Sequence, residues 1–197
     1  MATEDDEVPV TDDVPAIPTA RLELASMPVA FMEALLAGDP SAAGAAIGAA
    51  VPENLRDHLE DFLRYRLAQV VADPSIRVWL GRAMVLTEPD GARRVIGTIG
   101  FHGPPDERRR LEIGYSVQPA YRRQGFAREA VRAMLDWASF EHGIHHFIAS
   151  ISPTNEASLA LTRGFGFVQT GEQMDEIDGL ELVFEADWPA RSTGAEA

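Results

Sequence analysis

Leu55, Leu59, Phe62, Leu63, Leu67, Val70 and Val71 recur three and four residues apart. That spacing gathers side chains on one face of a helix and predicts a long helix over residues 52–72, stopped by Asp73-Pro74. From residue 79 the period changes to two. Residues 79–87 and 94–101 read as hairpin partners around the turn residues Pro89-Asp90-Gly91. Residues 110–118 follow as another strand, with Leu111, Ile113, Tyr115 and Val117 on one face. Glu112, Gly114, Ser116 and Gln118 point the other way. One chain with both periods belongs to the α/β class.

The remaining elements complete one domain. Leu22 and Leu24 alternate with polar neighbours in a short strand, and Pro28 opens a helix over 29–37 closed by Gly38. The Ala- and Gly-rich residues 41–51 read as a loose helix. A helix spans 126–142, with Ala130, Val131, Met134, Leu135 and Ala138 inward, and Gly143 ends it. A strand over 146–151, a short helix over 155–163 closed by Gly164, and strands near 166–173 and 180–186 around Asp178-Gly179 finish the order. The expected architecture is a mixed, mostly antiparallel sheet flanked by helices, in a domain over residues 19–189. Residues 1–18 are acidic and carry Pro9, Pro15 and Pro18, so they read as a disordered tail; residues 190–197 read as a frayed end.

Composition excludes several functions. The chain has no cysteine, which removes disulfides, thiolate zinc sites and cysteine nucleophiles. Its formal net charge of −14 argues against nucleic-acid binding and favours cationic substrates. No apolar run approaches the roughly 20 residues of a membrane span, and the acidic start does not resemble a secretory signal; a cytoplasmic protein is expected. His142, His145 and His146 straddle a helix end without a carboxylate pattern that fixes a site, so no metal is expected.

Chemistry concentrates between Tyr115 and Ala130, where a strand runs through a tight loop into a helix. A helix start offers unpaired N–H groups and partial positive charge. Gly125 allows close approach to the backbone, and Arg122 and Arg123 add charge-assisted donors, a set that suits a pyrophosphate. Neither the dinucleotide glycine fingerprint nor the P-loop motif is present in this context. On these residues alone, a plain strand–helix turn with exposed arginines is an equal reading.

The neighbouring residues resolve that choice by resemblance. Arg122-x-x-Gly125-x-Ala127, with Val117-x-Pro119 before it and Glu129-Ala130 after it, resembles the acyl-CoA signature of the GNAT superfamily. Asn155-x-x-Ser158 followed by Gly164-Phe165-Gly166-Phe167 is similar to that family's second motif, except that Phe165 stands where leucine is usual. Gly97 to Phe101 and Glu112 to Tyr115 also match, and the likeness covers roughly residues 19–187. The branch most resembled includes acetyltransferases of ribosomal-protein N-termini. The resemblance implies a sheet splayed between strands 110–118 and 146–151, with acetyl-CoA as co-substrate in the wedge. It implies that backbone groups of Arg123, Gln124, Gly125, Phe126 and Ala127, with Arg122, hold the pyrophosphate and that Val117 holds the pantetheine arm. A homodimer is compatible with the family.

The reaction would be attack of a neutral primary amine on the thioester. A free α-amino group of pKa ~8 is roughly 10% neutral at pH 7, whereas a lysine amine near ~10.4 is under ~0.1% neutral. Glu112, opposite the apolar face of its strand, is the candidate base through water; the alternative is an ion pair with Arg94 or Arg110. Ser158 is the candidate acid, and Asn155, on the same helix face, would order water or the pantetheine. The alternative for that pair is that Asn155 caps its helix and Ser158 is ordinary. The acceptor is expected to be a peptide N-terminus or a small amine. Succinyl or another acyl transfer, or acyl-CoA binding without turnover, are the competing functions.

Overall fold

Alternating apolar residues after position 80 build the sheet that organises the molecule. The computed structural model describes residues 14–175 and 179–189. Its strands are β1 (Ile17–Pro18), β2 (Leu22–Ser26), β3 (Arg82–Thr87), β4 (Arg93–Phe101), β5 (Arg110–Val117), β6 (His146–Ile151), β7 (Val168–Asp175) and β8 (Gly179–Asp187). They form one sheet in the order β1-β2-β3-β4-β5-β6-β8-β7. Every neighbouring pair is antiparallel except β5 and β6. That parallel pair needs a crossover, which α4 (Phe126–His142) supplies.

Both faces of the first five strands are covered. Ala130, Val131, Met134, Leu135 and Ala138 of α4 pack with Leu24, Ile96, Phe101, Leu111 and Ile113. On the other face, α1 (Val29–Leu36), α2 (Pro40–Ile47) and α3 (Glu60–Ala72) set Phe31, Leu35, Ala43 and Leu63 against Ala83, Val85 and Val95. Full burial of each of the leucine, isoleucine, valine, methionine and phenylalanine side chains among these contributes about 1.5–3 kcal/mol. The short α5 (Glu156–Arg163) follows β6.

Several boundaries differ from the sequence expectation. The helix read over 41–51 ends at Ile47 because Gly48 is left-handed (φ 64°), and the strand read near 166–173 lies at Val168–Asp175. The periodicity predicts one helix over 52–72, but Glu53–His58 is a 3-10 turn and the chain breaks at Leu59 (φ −128°) before α3 begins. Leu55, Leu59, Leu63 and Val70 still face inward, whereas Val71 is exposed, since one helical step turns it away from Val70. Trp79 precedes the strand rather than starting it, because Pro74–Val78 is a second 3-10 turn. The packed chain also begins before Thr19. Ile17–Pro18 pairs with β2, Ile17 is buried, and Pro15 O accepts a hydrogen bond from Arg82 Nη1 at 2.8 Å. The outer edge of β2 offers unpaired backbone groups, and this segment satisfies them. Residues 1–13, 190–197 and Asp178 of the expected turn lie outside the described residues.

Arg82 is a buried cation whose outer nitrogens are held by backbone carbonyls, while its Nε has no partner. Its guanidinium donates to Pro15 O, Leu24 O (3.3 Å) and Val78 O (3.3 Å), and it lies 5.2 Å from the centre of the Trp137 ring. Burial draws its pKa down to about 10, which leaves it charged at neutral pH. Trp79 and Trp137 meet edge to face at 5.4 Å, and Trp188 Nε1 donates to Asp136 at 2.7 Å, so all three tryptophans are packing residues.

Candidate functional site

β5 is paired on one edge along its length and on the other only at its start. Its ladder with β4 runs from Ile113 to Val117 and is extended by His102 N donating to Glu112 O (2.8 Å) and Gln118 N to Ile96 O (2.8 Å). In an antiparallel ladder the residues between such pairs direct their N–H and C=O groups outward. Those of Ile113, Tyr115 and Val117 therefore face β6. The pairing with β6 covers only Arg110↔His146, Leu111↔Phe147 and Glu112↔Ile148. Beyond Glu112 the strands diverge, and a wedge opens between them with a β5 edge that no strand among the described residues covers. This is the splay expected from the sequence.

The loop at the end of β5 leads to the start of α4. Pro119–Tyr121 makes a single 3-10 turn; Arg123 (φ 59°) and Gly125 (φ 85°) are then left-handed, and α4 starts at Phe126. A left-handed non-glycine residue is strained, and Gly125 avoids that cost at the second position. No side chain caps α4. Arg122, Arg123, Gln124 and Gly125 are exposed, Phe126 is buried as the anchor, and Ala127 is half-buried. Arg122 turns back, its Nε donating to Val117 O at 2.8 Å. The loop is clasped from the N-terminal side: Arg21 Nη1 donates to Gln124 O (3.0 Å), Arg21 Nε pairs with Glu129 at 2.7 Å, and Thr19 Oγ1 donates to Glu129 at 2.6 Å. Burial by itself would raise the Glu129 pKa, but these hydrogen bonds outweigh it and hold the carboxyl below its ordinary value. Arg21 carries no local sequence signal for this role, since its partners lie more than a hundred residues away.

On the α3 side of β4 and β5 lie two adjoining cavities of about 230 and 190 Å³ that share Leu59, Thr98 and Ser116. The first reaches Val117 and Arg122; the second reaches Arg66, His102 and Gly114. Glu112 flanks this region and pairs with neither arginine considered for it. Arg94 approaches Glu88 (4.0 Å), and Arg110 binds Asp106 (2.9 Å) and approaches Glu185 (3.7 Å). Instead His102 Nδ1 lies 3.6 Å from Glu112 Oε1. His102 packs over Gly114, where an added Cβ would sit 2.8 Å from its Nε2. The sequence offers no cue to His102, because the β4–β5 register brings it there.

Across the wedge stands α5. Asn155 is its N-cap, and its Oδ1 accepts from Ser158 N at 3.1 Å, so the capping alternative holds for Asn155. The exposed Asn155 side chain keeps its amide NH₂ for other partners. Ser158 is half-buried. Tyr115 reaches over from β5: its buried hydroxyl lies against those of Ser158 and Thr162 without a well-aligned hydrogen bond to either, and burial pushes the phenol above its ordinary pKa. Phe165 is buried against Trp188 (5.7 Å) and beneath Arg128 and Arg132 of α4, 5.3 and 6.0 Å from its ring centre. Its extra size is thus taken up between α4 and the C-terminal strand.

The three histidines near 142–146 go separate ways. His142 packs on Trp79 and Trp137, His145 Nδ1 meets Trp188 O at 3.0 Å, and His146 bridges Glu185 (2.7 Å) and Asp187 (2.9 Å). Among the described residues no group of three or more metal-ligating side chains converges. Among the described residues no helix is long and apolar enough to cross a membrane.

Comparison with known proteins agrees with this geometry. The chain is 37% identical over 79 residues to the uncharacterized N-acetyltransferase YoaA of Bacillus subtilis (strain 168), covering 40% of this chain and 45% of that one. It is 30% identical over 106 residues to the uncharacterized N-acetyltransferase p20 of Bacillus licheniformis, covering 53% and 58%. The chain thus spans about half the length of the curated relatives it matches. The ribosomal-protein-S5-alanine acetyltransferase from Vibrio fischeri shares the fold, with a TM-score of 0.58, 18% identity, and 87% and 96% of the two chains covered. The family model for the acetyltransferase (GNAT) domain matches residues 21–168, and the chain belongs to that family.

Proposed function

We propose that the protein is an N-acetyltransferase that moves the acetyl group of acetyl-CoA to a primary amine within a ternary complex. The observation that carries this reading is the uncovered β5 edge leading into an uncapped helix start with left-handed Arg123 and Gly125 before it. Outward N–H and C=O groups of Tyr115 and Val117 suit the amide-bearing pantetheine arm, which would add to the edge as a short extra strand. Backbone N–H groups from Arg123 to Ala127, including Gln124, Gly125 and Phe126, suit the pyrophosphate, with Arg122 and Arg123 supplying charge. Arg122 also accounts for Val117 O.

Chemistry then falls to groups on the two sides of the wedge. The amine nitrogen attacks the thioester carbonyl carbon, the C–S bond breaks, and the amine proton passes through water to Glu112. His102 stands beside Glu112. The departing thiolate takes a proton from Ser158, and the Tyr115 phenol, held protonated by burial, lies where it can restore it. The exposed amide of Asn155 stands at the start of the same helix as a positioning group. The structural likeness to a ribosomal-protein acetyltransferase adds peptide N-termini to small amines as acceptors to assay.

The test is calorimetric titration of acetyl-CoA, succinyl-CoA and free CoA, followed by CoA release over a panel of amines. Micromolar acetyl-CoA binding with amine-dependent CoA release supports the reading. Tighter binding and turnover of succinyl-CoA reassigns the donor. Binding without turnover leaves an acyl-CoA-binding protein, and no binding removes the enzyme reading.

A further inference from the structure

Arg66 and Arg82 are both buried and neither has a partner for its Nε, but they differ in what their outer nitrogens meet and in that Arg66 borders a cavity. Arg82 spreads its guanidinium over three backbone carbonyls. Arg66 is 5% exposed, and its hydrogen bonds all leave from Nη1, to His102 O (2.6 Å) and Gln69 Oε1 (2.8 Å). Its Nε is buried without a partner, and among the described residues no carboxylate lies within ion-pair distance of it. The rings of Phe62 and Tyr65, 5.1 and 5.3 Å away, cover part of the cation. Burial draws its pKa down, but a guanidinium stays charged. A buried cation short of an anion is costly unless something completes it.

The 190 Å³ cavity at the edge of β4 and β5 supplies the place for that completion. Arg66 forms part of its wall, Leu59 and Phe62 line its apolar side, and His102, backed by Glu112, stands at another part. Arg66 donates to His102 O at 2.6 Å and His102 lies beside Glu112, so the cation and the carboxylate proposed to receive the amine proton stand close together, as the carboxylate and amine of an α-amino acid do, with apolar surface beside them. We propose that this cavity is the acceptor site and that Arg66 anchors a carboxylate on the acceptor, which makes the acceptor a free amino acid with an apolar side chain. The proposal rests on the acetyltransferase reading for its chemistry and on Arg66 for its selectivity. Local charge here outweighs the cationic preference suggested by the net charge of −14.

The experiment is calorimetry at pH 7, with and without saturating CoA, using L-leucine against L-leucinamide and L-phenylalanine against L-phenylalaninamide. Each pair differs in the carboxylate and keeps the side chain. Wild type is expected to bind the acids at least about tenfold more tightly than the amides. Arg66→Gln abolishes that preference while leaving acetyl-CoA affinity unchanged, and Arg66→Lys retains part of it. If Arg66→Gln does not fold, as judged by circular dichroism, the lysine variant carries the test. Equal affinity for acid and amide, no binding of either, or an equal loss for both in the variant overturns the proposal. CoA release measured in parallel separates the two readings: an acid preference without turnover leaves the Arg66 site standing and removes the transferase, and turnover of the amides alone does the reverse.

Discussion

α4 and α5 both begin beside the wedge, and they treat their first N–H groups differently. Every helix leaves about four such groups without an internal partner. α5 uses its own Asn155, whose Oδ1 accepts from Ser158 N at 3.1 Å. α4 begins after Gly125 with no side-chain cap, and the nearby Arg122 is turned away to Val117 O. Yet α4 is not the weaker helix: it has 17 residues to eight and a larger buried face. Its start is held from outside, by Arg21 on Gln124 O and by Thr19 and Arg21 on Glu129. Stability and donor availability are thereby separated. α5 stabilises itself at its start, and α4 is stabilised laterally so that its first amides stay open.

The strongest way to break this contrast is Gly125→Glu. A side chain at φ 85° costs roughly 1–2 kcal/mol, and the carboxylate would repel a pyrophosphate. Acetyl-CoA affinity should fall by more than about 100-fold in calorimetry; retained affinity would mean that the α4 start does not bind it. Ser158→Ala comes next. The expected outcome is a kcat about tenfold lower or more with acetyl-CoA affinity unchanged, and unaltered turnover would leave α5 with no chemical part. Asn155→Ala should lower stability by about 1 kcal/mol, seen as a Tm decrease of about 2–4 °C, with a smaller effect on kcat than Ser158→Ala. A kcat loss as large as that of Ser158→Ala would give Asn155 more than its capping role.

Glu129→Gln gives the smallest effect and sharpens the comparison through pH. The folded carboxyl titrates below its ordinary value. Its contribution is therefore present above the unfolded pKa of about 4.5 and is lost as pH falls through the folded value. The Tm difference between wild type and Glu129→Gln should be largest near pH 6 and shrink toward pH 3. A constant difference across that range would show that the clasp is not electrostatic. Arg21 is largely solvent-exposed, so the ion pair is screened and the effect stays modest.

Much of this was legible from particular residues. The alternation from Leu111 to Val117 yields β5 and its two faces, and Gly125 and Gly143 bound α4 as expected. The motif around Arg122 and Gly125 locates the loop because its constraints are local: a left-handed glycine and an exposed helix start. Asn155 was ambiguous for the same reason, since a residue that caps and a residue that holds a ligand have the same sequence appearance. Neither the Glu112–His102 pair nor the Tyr115–Ser158 contact was legible. Each depends on the register between strands or on a helix crossing a gap, and neither leaves a periodic trace.

The sequence by itself determined the α/β class, the order of the elements, the glycine-marked loop before α4, and the family. These follow from hydrophobic period, turn chemistry and motif spacing, all readable within a few tens of residues. Only the tertiary structure decided that the expected parting of β5 and β6 begins after Glu112, that Arg21 crosses from the N-terminal strands to clasp the loop, and that Arg66 lies buried at a cavity without a carboxylate. Such features arise when distant segments compete for the same space and the same hydrogen-bond partners, and that competition is settled only when the chain is packed.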